Sequence, residues 1–314
     1  MSSHPPTLLP LHLLFPLLSG VVYVVGALLL KRAADLGADM WRTARICNLT
    51  TALMFAPLAL LGGTVPSWQL CWQPALVALC FIAGQVFTLL ALKIGDVSVA
   101  TPVMGLKILF VAFLTTALIG ERIRSVLWTA ALLSSIAIGL LNFSRAPSHH
   151  RVGATILLAA SAATSYALVD VLVQKWSPVW GAGRLLPIMM AFAAAASPAL
   201  RPLGRWPNIR KEAVLAPVRR WVAGGAVCLG LQAIMIVSSI ALYGQATVAN
   251  VLYSSRGLWS VLAVWLVGHW FVNRERYHSH RILAWRLLGA TLLMAAILMV
   301  LLDSHNPPAI GAHR

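Results

Sequence analysis

The amino-acid sequence predicts an all-α polytopic membrane protein, with ten transmembrane helices arranged as two inverted five-helix repeats. Three observations predict it. The composition is too apolar for a domain that faces water, the chain divides into ten apolar runs of bilayer length, and a set of residues recurs between the two halves at constant spacing.

Of 314 residues, 60% are hydrophobic and 10% are charged, whereas a soluble domain carries about 25% charged residues. A water-soluble body of this composition would expose large apolar patches. The 24 Lys and Arg against 8 Asp and Glu give a formal charge of +16. Nucleic-acid binding needs basic residues clustered on a soluble face. Here they sit in short segments between apolar runs, so the implied partner is the lipid bilayer and not a nucleic acid. Cys47, Cys71, Cys80 and Cys228 show no CxxC spacing; they read as small hydrophobes, not as a disulfide framework or a zinc site. No metal or cofactor is implied. His149, His150, His278 and His280 lie in connections with no acid at ligand spacing, which argues against a membrane enzyme. No GxxxxGK[ST] motif is present, which argues against ATP-driven transport by this chain alone.

A bilayer span needs about 20 mostly apolar residues, and its backbone polar groups must be paired within the segment, so each run is a helix. The runs fall at roughly 9–30, 44–62, 75–93, 98–119 and 126–143, then 153–174, 185–200, 221–241, 247–268 and 285–302. The seventh is short and holds Pro187 and Pro198. The first does not read as a cleaved signal peptide: no Lys or Arg precedes it, it is too long, and no small-residue cleavage site follows. The longest connection, about 201–220, is basic and too short to fold alone.

The halves correspond. Gly95-Asp96-Val97-Ser98-Val99-Ala100-Thr101 enters the fourth run, and Gly244-Gln245-Ala246-Thr247-Val248-Ala249-Asn250 enters the ninth, 149 residues later. Tyr23 precedes Arg32 by nine residues, as Tyr166 precedes Lys175. Arg122 and Arg274 each follow a long apolar run beside Glu121 and Glu275. Repeats with an odd number of spans insert with opposite topology, the plan of secondary transporters whose site lies near the midplane between repeats. The predicted boundaries are a first repeat over 1–146, a second over 147–304 and a tail over 305–314.

The stretch Ala91-Leu92-Lys93-Ile94-Gly95-Asp96-Val97-Ser98-Val99-Ala100-Thr101-Pro102-Val103 leads into a span that ends Ile119-Gly120-Glu121-Arg122-Ile123, and a fifth span with Gly139 follows. This wording resembles the EamA-type branch of the drug/metabolite transporter superfamily. The second half departs from it, reading Gly268-His269-Trp270 where the first reads Gly120-Glu121. The resemblance implies a ten-helix bundle with a central cavity lined partly by the fourth and ninth helices. It implies no one substrate, since the superfamily moves amino acids, nucleotide sugars, sugar phosphates and cations.

Lys107 lies about ten residues inside the fourth run and Arg256 about ten inside the ninth, again 149 apart. A cation at mid-bilayer costs at least about 2.5–3.5 kcal/mol on insertion scales. Two at equivalent positions point to a shared anion, held by a guanidinium fork and an ammonium point charge. The pair resembles the basic residues of the superfamily's sugar-phosphate/phosphate translocators, although Ser255 stands where those carry a second cation. The competing readings are pairing with Asp170, the one acid within a run, or snorkelling to an interface. Asp170 sits near the predicted end of the sixth helix, where it could meet Lys175 or Arg184, and is also the candidate for proton coupling. Tyr253, three residues before Arg256, shares its helix face. Asn250, Ser255, Gln85, Gln232, Tyr23 and Tyr166 complete the candidate substrate-binding set, each also a candidate for a helix–helix hydrogen bond. Trp259, Trp265 and Trp270 read as packing or interface anchors.

The expectation is therefore a secondary transporter of a small organic anion, phosphorylated or carboxylated, working by alternating access with exchange as one mode. The competing functions are export of amino acids or other neutral or zwitterionic metabolites, and a subunit of a lipid-carrier flippase. Partners are the small molecule and the bilayer, with room for a homodimer. The setting is a cell (inner) membrane. Five Lys and Arg lie on the side of the termini against seventeen on the other side, which places both termini outside the cytoplasm. The family resemblance implies the reverse.

Overall fold

The computed structural model describes residues 11–64, 66–95, 97–142, 151–200, 216–267 and 280–305. Most of the basic connection after the seventh run, His149, His150 and His278, the segments Gly268-His269-Trp270 and Arg274-Glu275, and the tail lie outside the described residues.

The described residues are helical, with no strand. Twelve α-helices follow in order: α1 Leu11–Asp35, α2 Met40–Phe55, α3 Trp72–Ile94, α4 Val97–Gly105, α5 Lys107–Leu114, α6 Ser125–Leu141, α7 Val152–Trp180, α8 Ala182–Ala196, α9 Ala216–Tyr243, α10 Ala246–Tyr253, α11 Arg256–Val267 and α12 His280–His305. Eight helical spans among these are long and apolar enough to cross a membrane, which makes this a multi-pass membrane protein. Ser125–Leu141 is apolar but shorter, and the ninth apolar run divides into α10 and α11.

Local chemistry sets the ends. Asp39 caps α2 by accepting the Arg42 amide at 2.7 Å, satisfying one of the orphan donors of a first turn. Gly120 closes the fourth run in the left-handed region at φ 79°, a conformation that glycine adopts without a Cβ clash. Pro102 stands inside α4 without an amide proton, and α4 ends one turn later.

The helices pack in pairs. The α1 helix lies along α9, and α3 along α7. The α2 helix meets α8, and α6 meets α12. The α4–α5 pair rests on α7, the α10–α11 pair rests on α1, and α5 touches α10. Trp180, Leu185, Leu186, Met189 and Tyr253 belong to the largest buried cluster. A second joins Ile108, Ile138, Leu252 and Leu293. The most enclosed element is α7; a helix surrounded by others is apolar on every face. It runs six residues past the predicted end, to Trp180.

A side chain of α2 meets the residue that caps the end of α8. Asn48 Nδ2 donates to Ser197 Oγ at 2.9 Å, and the two residues are 149 apart in the chain. Asn48 also exchanges two hydrogen bonds with Gln85 of α3, at 2.9 and 3.0 Å. At the far end of the same two helices the backbones touch. A Cβ on Gly181 would stand 2.8 Å from Gly63 Cα, and the Thr64 amide donates to the Trp180 carbonyl at 2.9 Å. Only glycine permits that approach.

Candidate functional site

Both mid-membrane cations stand at the same kind of place. In the fourth run, Leu106 N bonds the Val103 carbonyl at 3.1 Å, a three-residue turn, and Lys107 opens α5. In the ninth, Ser255 N bonds the Leu252 carbonyl at 3.1 Å, Gly257 N bonds the Ser254 carbonyl at 2.9 Å, and Arg256 opens α11. A stretch of three-residue turns inside a helix marks a hinge or a functional interruption. The two interruptions are separated by the same 149 residues as the cations.

The extra length of α7 changes the reading of Asp170. It lies ten residues from Trp180, not near a helix end, and is 5% exposed. Its Oδ2 stands 2.7 Å from Lys107 Nζ and accepts Asn250 Nδ2 at 2.7 Å. Asn250 also donates to the Ala246 carbonyl at 2.9 Å, which fixes the amide. The expected meeting of Asp170 with Lys175 or Arg184 is thus corrected, because Lys175 Nζ turns to the Leu118 carbonyl at 2.9 Å. Lys107 is likewise not free for a shared anion: its ammonium has a carboxylate within the bundle. Removing one partner of such a pair strands a charge in low dielectric.

Arg256 is held differently. Its Nη1 donates to the Tyr253 hydroxyl at 3.1 Å. Its guanidinium carbon lies 4.6 Å from the Tyr253 ring centre and 4.8 Å from that of Tyr23. The two rings meet edge to face at 6.0 Å. Tyrosine faces carry negative potential and attract a cation. Among the described residues, no carboxylate pairs with Arg256. A guanidinium has five N–H donors, and one hydrogen bond to a neighbouring side chain leaves most of them open. Gly20 allows this arrangement: a Cβ there would sit 2.9 Å from Ser255 Oγ and 3.1 Å from Arg256 N.

The other expected site residues divide. Tyr166 joins the group, within electrostatic reach of Tyr23 and Arg256 and packed on Phe81 at 6.2 Å between ring centres. Ser255 is buried beside Arg256, and its hydroxyl has no partner among the described residues. Gln85 is taken up by Asn48, which makes it a helix–helix contact. Gln232 is half-buried on α9.

The structure adds residues that the sequence did not single out. Gln174 Nε2 donates to Glu121 Oε2 at 2.7 Å, while its Oε1 accepts the Ala246 amide at 2.9 Å. Gln174 therefore ties α7 to the start of α10 and to the connection after the fourth run. Arg124 and Asp303 form an ion pair nearby. These groups border a cavity of about 480 Å³, with Thr115, Arg122 and Thr247 also on its wall. The Thr115 and Thr247 hydroxyls are buried without partners among the described residues. Gln174 lies one helical turn from Asp170, and Thr247 one turn from Asn250, while Lys107, Asp170 and Arg256 themselves are not on the cavity wall. The one available signal was Glu121 in the quoted wording; Gln174 resembles any polar residue near a helix end.

Residues 10–143 match the family model of the EamA-like transporter family. No curated protein matches the chain in sequence. A solved crystal structure superposes with a TM-score of 0.71 at 15% identity, covering 95% of this chain and 100% of its own. It is among 29 chains of known structure that match. At that identity the likeness shows a shared fold.

Proposed function

We propose, from the match of residues 10–143 to the EamA-like transporter family, that the chain is a secondary transporter carrying a small organic anion by alternating access. Arg256 is the substrate's counter-ion in this reading. The observation that carries it is a mid-span guanidinium flanked by two tyrosine rings, with open donors and no carboxylate among the described residues. A desolvated cation so placed is costly unless an anion completes it.

Two inverted five-helix repeats supply the mechanism. Exchanging each helix for its counterpart in the other half leaves the packing pairs unchanged: α1 on α9 becomes α7 on α3, and α4–α5 on α7 becomes α10–α11 on α1. Asn48 and Ser197, equivalent by the 149-residue spacing, touch each other as residues near a two-fold axis would. Interrupted helices at the repeat interface are where such carriers hold their substrates. The Lys107–Asp170–Asn250 group ties α5, α7 and α10 together beside that site. Asp170 is occupied there by an ammonium, so it serves as a structural counter-charge and not as the coupling proton's carrier. An empty site leaves Arg256 uncompensated and resists closure, which favours exchange of one anion for another.

The test is uptake by the purified protein in liposomes with no partner present. Wild type is expected to accumulate an organic anion, and Arg256→Gln to lose affinity by about ten- to a hundredfold, the equivalent of one charge-assisted hydrogen bond. Unchanged affinity and rate in Arg256→Gln would reject the site. Absence of uptake for every solute would favour a flippase subunit, and uptake of amino acids alone would favour a zwitterion exporter.

A further inference from the structure

We propose that the carrier's midplane accepts one negative charge and no more, so that its substrates are organic monoanions, carboxylates foremost, and doubly charged phosphate esters are rejected. This rests on the reading of Arg256 as the substrate's counter-ion and narrows it by counting charge.

Among the described residues, three charged side chains lie about ten residues from the ends of their spans: Lys107, Asp170 and Arg256. Lys107 and Asp170 neutralise each other at 2.7 Å. A second ion pair among the described residues, Arg124 with Asp303, lies at the end of the bundle. The central site thus carries a net single positive charge, all of it on Arg256. Closing a carrier around its substrate removes water, and a residual charge of either sign is then penalised in low dielectric. One monoanion brings the site to neutrality. A dianion leaves a negative charge uncompensated, and a neutral solute leaves Arg256 uncompensated. Lys107 can help a dianion only by leaving Asp170, whose carboxylate would retain Asn250 alone.

Geometry agrees with the charge count. Tyr23 and Tyr253 lie against the guanidinium at 4.8 and 4.6 Å from their ring centres, and Nη1 already bonds Tyr253. The remaining N–H groups can meet the two oxygens of one carboxylate. The two repeats differ at the decisive point. With the 143-residue spacing of Tyr23 and Tyr166, the position equivalent to Asp170 in the first repeat is Ala27. The second repeat supplies a carboxylate to the first repeat's cation, and the first supplies none in return.

Three probes of similar size separate charge from headgroup at neutral pH: glycerate as a monocarboxylate, tartronate as a dicarboxylate and glycerol phosphate as a mainly doubly charged ester. Each is measured as binding to, and counterflow through, the reconstituted full chain. Wild type is expected to prefer glycerate over both dianions by about tenfold or more, the scale of one charge-assisted contact. Asp170→Asn frees the Lys107 charge and should shift the preference toward both dianions. The double variant Lys107→Gln with Asp170→Asn removes the pair but keeps the single net charge, so it should retain the wild-type order; it also decides the matter should Asp170→Asn fail to fold. If the dianions match glycerate in wild type, or if the double variant inverts the order, the charge rule is wrong while Arg256 keeps its assignment. If no probe of either charge binds, or Arg256→Gln binds them all as wild type does, the assignment of Arg256 falls and takes the charge rule with it.

Discussion

At the residue scale the two mid-membrane cations have different lives. Lys107 has a permanent partner, and its loss should act on stability. Lys107→Gln strands the buried Asp170 carboxylate, at a cost of about 3–5 kcal/mol. The double change with Asp170→Asn should recover most of that loss in thermal unfolding of the solubilised protein. Strict additivity of the two single changes would show that the pair does not couple. Arg256 should act on substrate affinity. Arg256→Lys keeps the charge and loses the fork, so the uptake KM should rise by about tenfold. Tyr253→Phe keeps the ring at 4.6 Å and removes one acceptor. Its KM should change only a few-fold, within the roughly 0.5–1.5 kcal/mol of a single hydrogen bond. A larger loss than in Tyr253→Ala would show that ring and guanidinium do not attract. The spacing made both cations legible beforehand. Pairing with Asp170 was legible only as a competing reading, because the predicted end of the sixth span, six residues short of the end of α7, placed Asp170 near the headgroups.

At the element scale the interruptions between α4 and α5, and between α10 and α11, set Lys107 and Arg256 at helix starts inside their apolar runs. The α1 helix approaches the second interruption through Gly20, where a methyl group would meet Ser255 Oγ at 2.9 Å and the Arg256 amide at 3.1 Å. Gly20→Ala should therefore displace the start of α11. The expected result is a thermal midpoint lowered by the equivalent of about 1–3 kcal/mol of overpacking, with weaker anion binding. Gly153→Ala, which meets nothing within 4 Å, serves as the control, and equal behaviour of the two variants would overturn the assignment. Apolar periodicity located the spans but not the interruptions. Pro102 hints at the first; nothing in Tyr253-Ser254-Ser255 announces the second.

At the scale of the whole molecule, orientation is the open choice. The excess of Lys and Arg on the side away from the termini predicts that both termini lie outside the cytoplasm. A reporter active only in the cytoplasm, fused to the C-terminus, should be silent. A strong signal would reject the charge rule here and restore the orientation that the family resemblance implies. The cavity of about 480 Å³ lies at the end where α12 finishes. Under the charge rule it therefore faces away from the cytoplasm.

The sequence by itself determined the class of molecule, because sixty per cent apolar residues in bilayer-length runs leave a membrane as the one solvent that accepts them. It determined that Lys107 and Arg256 stand 149 residues apart, each about ten residues inside an apolar run. Only the tertiary structure decided what each cation meets. Asp170 of α7, Asn250 of α10 and Lys107 of α5 meet through packing between elements that are remote in the chain. Tyr23 of α1 reaches Arg256 in the same way. Hydropathy reports a residue's preference for oil over water, which is local. The partner of a buried charge is set by which helix faces which, and that depends on side-chain packing along every interface at once.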